Sequence, residues 1–267
     1  MSANEPYPGT QAVLRAIALL KSFTDRQPQL SLVELARQVG LNKTTAYRLL
    51  SALEREGMIT RSSETDAYRL GPEAIVIGGR ALRANELRAV SRVEIEGLAR
   101  QLGEAVSLEV LDGGEVLILD EVAGGYLVSP NQSIGTRWPA HATSTGKVLL
   151  SDLPLSERNA VLRPPLAQLT HKTMTAPEML RRELDRSREQ GFAVADEELE
   201  VGFMAIGAPV HDHNNRVTAA ISINAPTARL TPDRIPEIAV LVMAAAGRIS
   251  AQLGYRPNEA GPDEAAQ

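Results

Sequence analysis

Residues 31–53 read SLVELARQVGLNKTTAYRLLSAL, and they decide the fold of the first part of the chain. Ser31 and Glu34 have the S-x-x-E spacing of a capping box, in which the Ser hydroxyl and the Glu carboxylate each satisfy a backbone N–H left open at a helix start. A helix therefore begins at Leu32. Leu32, Leu35, Ala36 and Val39 recur at i, i+3, i+4 and i+7 and give it one apolar face. Gly40 stops that helix at a position open to positive φ. Leu41 plugs the corner, and Asn42 is a good N-cap for the next helix. There Ala46, Leu49, Leu50 and Leu53 repeat the apolar spacing, which leaves Lys43, Thr44, Tyr47, Arg48 and Ser51 on the opposite face. Two helices about a Gly-containing turn form a helix-turn-helix, whose second helix can enter the major groove and read base edges from its N-terminal residues. The segment alone is also compatible with a plain helical hairpin.

The flanking residues favour the first reading. Upstream, Val13, Leu14, Ile17, Ala18 and Leu20 make an apolar stripe between Thr10 and Phe23. Downstream, Ile59-Thr60-Arg61 and Ala67-Tyr68-Arg69-Leu70 read as two strands about the turn Ser62–Asp66. A β-hairpin behind a helix-turn-helix is a winged helix. Lys43, Thr44, Thr45, Tyr47 and Arg48 are expected to approach the major groove, and Arg61 and Arg69 flank the wing tip where they can reach phosphates. Gly71-Pro72 ends the wing, and Pro72 suits the first position of a new helix. That helix is expected over 72–89, with Ile75, Leu82 and Leu87 on an intermittent apolar face. Gly78-Gly79 inside it costs about 1 kcal/mol per Gly against Ala, so it reads either as a plain connector or as a bendable linker. The helices at 10–23 and 72–89 carry more apolar positions than a small domain needs, and dimerisation is expected there.

From Val90 onward the pattern is mixed. A helix is expected at 90–102. Strands follow at 104–111 and 115–121 about the turn Asp112-Gly113-Gly114. A strand near 134–138 leads into a helix after Thr143. Thr175-x-x-Glu178 caps a helix to Gln190. Strands follow at 192–195, 203–210 and 216–224, and a final helix runs from Thr231-Pro232 to Leu253. Hairpin-linked strands with intervening helices imply an α+β domain with an antiparallel sheet. The divisions read from the sequence are 1–71, 72–89, 90–256 and a polar, disordered tail at 257–267.

Composition bounds the function. The chain has 267 residues, 43% of them hydrophobic, and no Cys, which removes disulfides, thiolate metal sites and a Cys nucleophile. No apolar run approaches the length of a membrane span. MSANEPYPGT lacks the basic start and apolar core of a signal peptide, so a cytoplasmic protein is expected. The net charge of −5 does not mark a nucleic-acid binder, but its distribution is uneven. Residues 1–89 hold 12 basic and 9 acidic side chains, and the remainder holds 16 and 24. A mildly basic end on an acidic body suits a protein that offers one end to DNA.

Three stretches suggest chemistry, and each has a plainer reading. Ser144-Thr145-Gly146-Lys147 echoes a phosphate loop, yet the motif needs Gly where His141 stands and Ser or Thr where Val148 stands. His211-Asp212-His213-Asn214-Asn215 has residue types that suit a metal, but reads better as a hairpin turn. Asp196-Glu197-Glu198 reads as a solvated charge run rather than an acid–base pair. His141 with Ser144 lacks a nearby acidic partner. No catalytic constellation, metal site or cofactor is expected.

In LSLVELARQVGLNKTTAYRLLSALEREGMI, the wing ending YRLG, GTRWPAHATSTGKVLL, QGFAVADEE, GAPVHD and ISAQLGY, taken in this order, the chain resembles the IclR (isocitrate lyase regulator) family of bacterial transcription factors over nearly its whole length. The resemblance implies a winged helix, a linker helix and a GAF/PAS-like effector domain, assembled as a homodimer or homotetramer on double-stranded operator DNA, most often as a repressor. It also implies an effector cavity at His141, Thr143, Ser144 and Thr145; the free backbone N–H groups at that helix start favour an anionic group, and Trp138 is expected to supply an aromatic wall. Two positions depart from the family. Ala195 stands where an Asp is common, and Ala205 where a Cys is common. The polar groups that contact small oxo-acids in relatives are thus methyls here, which implies a roomier cavity and a larger organic effector, aromatic or a longer-chain acid. The alternative class is an enzyme or sensor whose helical hairpin binds a protein partner; steeply salt-dependent DNA binding separates the two.

Overall fold

The computed structural model describes residues 9–125 and 134–256, and the chain divides into two compact units at Ala84/Asn85. The tail expected at 257–267 lies outside the described residues.

The first unit holds helices α1 (Gln11–Lys21), α2 (Leu32–Gln38) and α3 (Lys43–Arg55), then strands β1 (Ile59–Arg61) and β2 (Tyr68–Leu70), then α4 (Pro72–Arg83). The local signals act as the sequence implies. Both halves of the Ser31/Glu34 capping box form, and the Asn42 carboxamide oxygen accepts from the Thr45 N–H. Gly40 takes φ +67°, which lets the chain reverse between α2 and α3 without a Cβ clash. Leu19, Leu35, Leu50, Ile59 and Tyr68 form the buried core. Leu30 exchanges two backbone hydrogen bonds with Tyr68, of 3.0 and 2.8 Å, so the chain leading into α2 bridges to the other edge of β2.

The helix expected over 72–89 is two helices. Gly78 and Gly79 stay helical inside α4, and the break falls at Ala84. Asn85 causes it: its side chain accepts from the Arg88 N–H at 2.9 Å and starts a new helix, α5 (Glu86–Leu102).

The second unit continues with β3 (Ala105–Asp112), β4 (Glu115–Val122), β5 (Arg137–Pro139), α6 (Ser144–Asp152), α7 (Leu155–Val161), α8 (Pro177–Gln190), β6 (Ala193–Asp196), β7 (Phe203–His211), β8 (Val217–Pro226) and α9 (Ile235–Gln252). The six strands form one antiparallel sheet in the order β5-β4-β3-β8-β7-β6. Helix α7 is absent from the sequence reading. Helix α8 starts after Ala176 without a side-chain cap; Pro177, not Thr175, sets its first turn. A 3₁₀ turn at Pro232–Arg234 precedes α9.

Alternation along the strands separates the two faces of the sheet. Val106, Leu108, Ile206, Ala208, Ile221 and Ile223 pack against Ile95, Leu98, Ile238, Val242 and Ile249 of α5 and α9. Among the described residues, 232–252 is the one helical stretch long and apolar enough to cross a membrane. Its apolar face is spent on this sheet. Their neighbours on the opposite face, Ser107, Glu109, Ala205, Gly207, Ser222 and Asn224, are small or polar.

Candidate functional site

Helix α6 covers part of that small and polar face. Its start is fixed by Thr143, whose hydroxyl accepts from the Gly146 N–H at 3.0 Å. Two glycines permit close approaches at the helix start, Gly207 between sheet and helix and Gly146 between the helix and the preceding turn. A Cβ on Gly146 would fall 2.1 Å from the Ala140 carbonyl oxygen, and one on Gly207 would fall 3.0 Å from Thr145 N. Gly146 therefore serves packing, not a phosphate. Lys147 is likewise no phosphate ligand: it is fully buried, and its ammonium donates to Val194 O at 2.9 Å and to Glu198 Oε1 at 2.5 Å. Glu198 is 4% exposed, which corrects its reading as a solvated charge. Asp196 and Glu197 differ, since both pair with the half-exposed Lys172 at 2.9 and 2.6 Å. The 211–215 segment is the β7–β8 turn, with Asp212 accepting from the Asn214 and Arg216 N–H groups. No cluster of metal-ligating side chains occurs among the described residues.

Beside the α6 start lies a cavity enclosing about 510 Å³, open solvent at its mouth included. Trp138, Thr143, Ser144, Thr145, Ala195 and Ala205 line it, all six singled out in the sequence. His141 does not: it is buried, with Nε2 2.9 Å from Ala167 O, and it ties the 3₁₀ turn at Ala140–Ala142 to the following loop. The sequence reading missed Glu109, Leu199, Glu200, Phe203, Ser222 and Asn224. A signal existed for three of them, because Glu109, Ser222 and Asn224 are polar residues alternating with aliphatic ones in strands otherwise read as buried. The buried Trp138 Nε1–H has no acceptor among the described residues.

Burial pushes the Glu109 carboxyl up, against hydrogen bonds from Ser107, Thr145 and Ser222 that favour its charged form. Glu121 on β4 is raised to about 7, first by burial and then by the negative charges of Glu109 and Asp120. Asp120 is itself fully buried and held by Arg88 at 3.2 Å and Arg92 at 2.9 Å.

On the first unit, Lys43, Thr44, Tyr47 and Arg48 are exposed along one side of α3, opposite buried Ala46 and Leu50, and Thr45 is half-buried at the helix start. In the wing, Arg69 is exposed and opposite Thr60. Arg61 is engaged locally: it donates to Asp66 at 2.7 Å and lies 5.5 Å from the Tyr68 ring centre.

Residues 12–63 match the family profile described as "IclR helix-turn-helix domain", and residues 79–251 match "Bacterial transcriptional regulator IclR C-terminal". The chain belongs to the IclR family. Its members are transcriptional regulators, not enzymes: they bind DNA through the helix-turn-helix and a small molecule through the C-terminal domain. The Bacillus subtilis HTH-type transcriptional regulator KipR is 35% identical over 92% of this chain and 98% of its own length. The Escherichia coli transcriptional repressor IclR is 31% identical over 91% and 90%. The crystal structure of an IclR homologue from Microbacterium hydrocarbonoxydans, complexed with 4-hydroxybenzoate, superposes with a TM-score of 0.79 at 26% identity, covering 91% of this chain and 98% of that one.

The Glu121 shift carries a sign for stability. A carboxyl whose folded pKa lies above its unfolded value holds a proton that the unfolded chain has released. Stability then falls as pH rises from about 4.5 through about 7. Glu121→Gln removes the penalty, so the melting temperature of this IclR protein is expected to rise at pH 8 and to be unchanged near pH 4.5. Thermal denaturation at both pH values checks this, and an equal gain at both would refute it.

Proposed function

We propose that this protein is a cytoplasmic repressor that binds operator DNA through α3 and the wing and is switched by an aromatic or longer-chain organic acid held in the cavity beside α6. The cavity wall carries this reading. The Ala195 and Ala205 methyls and the Trp138 and Phe203 rings offer apolar surface, while the first-turn N–H groups of Ser144 and Thr145 and the Trp138 Nε1–H offer donors. The homologue bound to 4-hydroxybenzoate, an aromatic acid, supports it. The E. coli relative's designation as a repressor supports the sign of regulation.

Lys43, Thr44, Thr45, Tyr47 and Arg48 are the proposed major-groove residues, and Arg61 and Arg69 the proposed phosphate contacts. Arg69 is the stronger of the two, because Arg61 must first leave Asp66. The protein is proposed to be a homodimer or homotetramer. Val13, Leu14 and Ile17 on α1 are 59, 50 and 44% exposed, and Ile75 on α4 is 76% exposed, more apolar surface than a helical unit leaves in water without a partner.

On duplexes selected from a random pool, Arg48→Ala is expected to lose about 1–3 kcal/mol and to relax specificity at one position. Arg69→Ala should weaken all sequences alike and flatten the salt slope by about one charge. Unchanged affinity for both Arg48→Ala and Lys43→Ala would sink the α3 assignment.

In a thermal-shift series of carboxylic acids, stabilisation should rise with size until the cavity is full, because each buried CH₂ contributes about 0.8 kcal/mol. Glyoxylate or pyruvate stabilising the protein more than larger acids would contradict the proposed effector class. Sedimentation at micromolar concentration should give a dimer or tetramer, and a strictly monomeric species would refute the assembly.

A further inference from the structure

An acid seated at the start of α6 leaves Glu109, on the same cavity wall, without a role. Glu109 is 4% exposed and lines the cavity. Its Oε1 accepts from the Ser107 hydroxyl at 2.6 Å and its Oε2 from the Thr145 hydroxyl at 2.5 Å, and the Ser222 hydroxyl lies 3.0 Å from that of Ser107. These partners are all neutral. Among the described residues that line the cavity none is Lys, Arg or His, and a second carboxylate, Glu200, is present. The β3–β4 register shifts beside Glu109: Leu108 pairs with Asp120 and Glu109 with Ile118, which leaves Leu119 of β4 without a partner on β3.

A buried carboxylate without a cation is costly unless its acceptor positions are filled. Its two oxygens offer about four acceptor positions, and the hydroxyls bonded to it directly leave some of them open toward the cavity. An effector with only a carboxylate offers acceptors alone and would leave the open acceptor positions of Glu109 unfilled. An effector that also carries a donor would meet at Glu109 an acceptor that is itself buried, where a hydrogen bond is electrostatically stronger than in water.

We propose that Glu109 selects an effector presenting an O–H or N–H donor to it, so that the acid taken by this cavity is a hydroxy- or amino-substituted one. The assignment rests on the effector reading above only for the acid end of the molecule. Glu109 is a specificity-determining residue, and the donor is what it reads.

The test is calorimetric titration of the full-length wild type, Glu109→Gln and Glu109→Ala with benzoate, 3- and 4-hydroxybenzoate, 4-aminobenzoate and phenol. At least one hydroxy- or aminobenzoate should bind wild type tenfold or more tightly than benzoate. That ratio should fall below threefold in Glu109→Ala, where benzoate itself binds as well as before or better. Glu109→Gln keeps the shape and removes the charge, so the ratio should narrow at least threefold there; this variant decides if Glu109→Ala does not fold. A wild-type ratio below threefold, or one ratio shared by all the proteins, overturns the role of Glu109 and leaves the acid reading intact. Phenol binding more tightly than every acid, and losing that affinity in the variants, overturns the acid reading and upholds Glu109. Binding of none of these probes overturns both.

Discussion

The C-terminal domain depends on one close approach, that of the α6 start to the sheet. It is possible because Gly207 on β7 presents no Cβ to Ser144 and Thr145, while Gly146 on α6 leaves room for the backbone of the preceding turn at Ala140. Seating the helix this way puts Thr143 at its N-cap, sends the Lys147 side chain to Glu198 and leaves the first-turn amides beside the cavity. The cavity is the space that remains where strand residues on the same face are also small, at Ala195, Ala205 and Ser222. A branched aliphatic at any of them would fill it, so the emptiness of the site and the tightness of the helix contact share one cause.

The two faces of the sheet divide the labour. On one, Val106, Leu108, Ile206, Ile221 and Ile223 bury aliphatic surface against α5 and α9, and burying one such side chain contributes about 1.5–3 kcal/mol. That face can carry the stability of the unit. The other face is thereby released from making a continuous core and can hold a carboxylate, hydroxyls and an amide at Glu109, Ser107, Ser222 and Asn224. The Lys147–Glu198 pair behind the cavity fits the same division, because a buried pair contributes more to a defined geometry than to net stability.

Much of this was legible in the sequence, and the failures have physical causes. Local rules held where local chemistry decides: the Ser31/Glu34 box, the Asn42 cap and the Gly40 turn all form as their residues imply. The linker was misread because two glycines drew attention to 78–79, while the stronger signal was an N-cap at Asn85. Helix α7 is short and its residues carry no strong period, so nothing local marked it. The family resemblance implies His141 at the cavity, but a 3₁₀ turn changes the direction of successive side chains and turns it toward Ala167. Glu198 looked solvated because its partner, Lys147, lies far away in sequence, and pairing at that range is set by tertiary packing. Glu109, Ser222 and Asn224 come from two strands adjacent in the sheet and remote in the chain.

The wing in this protein is not a free flap. Leu30 and Tyr68 exchange both backbone hydrogen bonds, and Tyr68 is buried in the core that also holds Leu50 of α3. The hairpin and the α3 helix are therefore parts of one body before any DNA arrives. Little chain entropy remains to be lost when both touch a duplex. The spacing between the proposed groove-reading side chains of α3 and the proposed phosphate contacts of the wing is then inherited from folding, and on that proposal the half-site is DNA whose groove width already matches it.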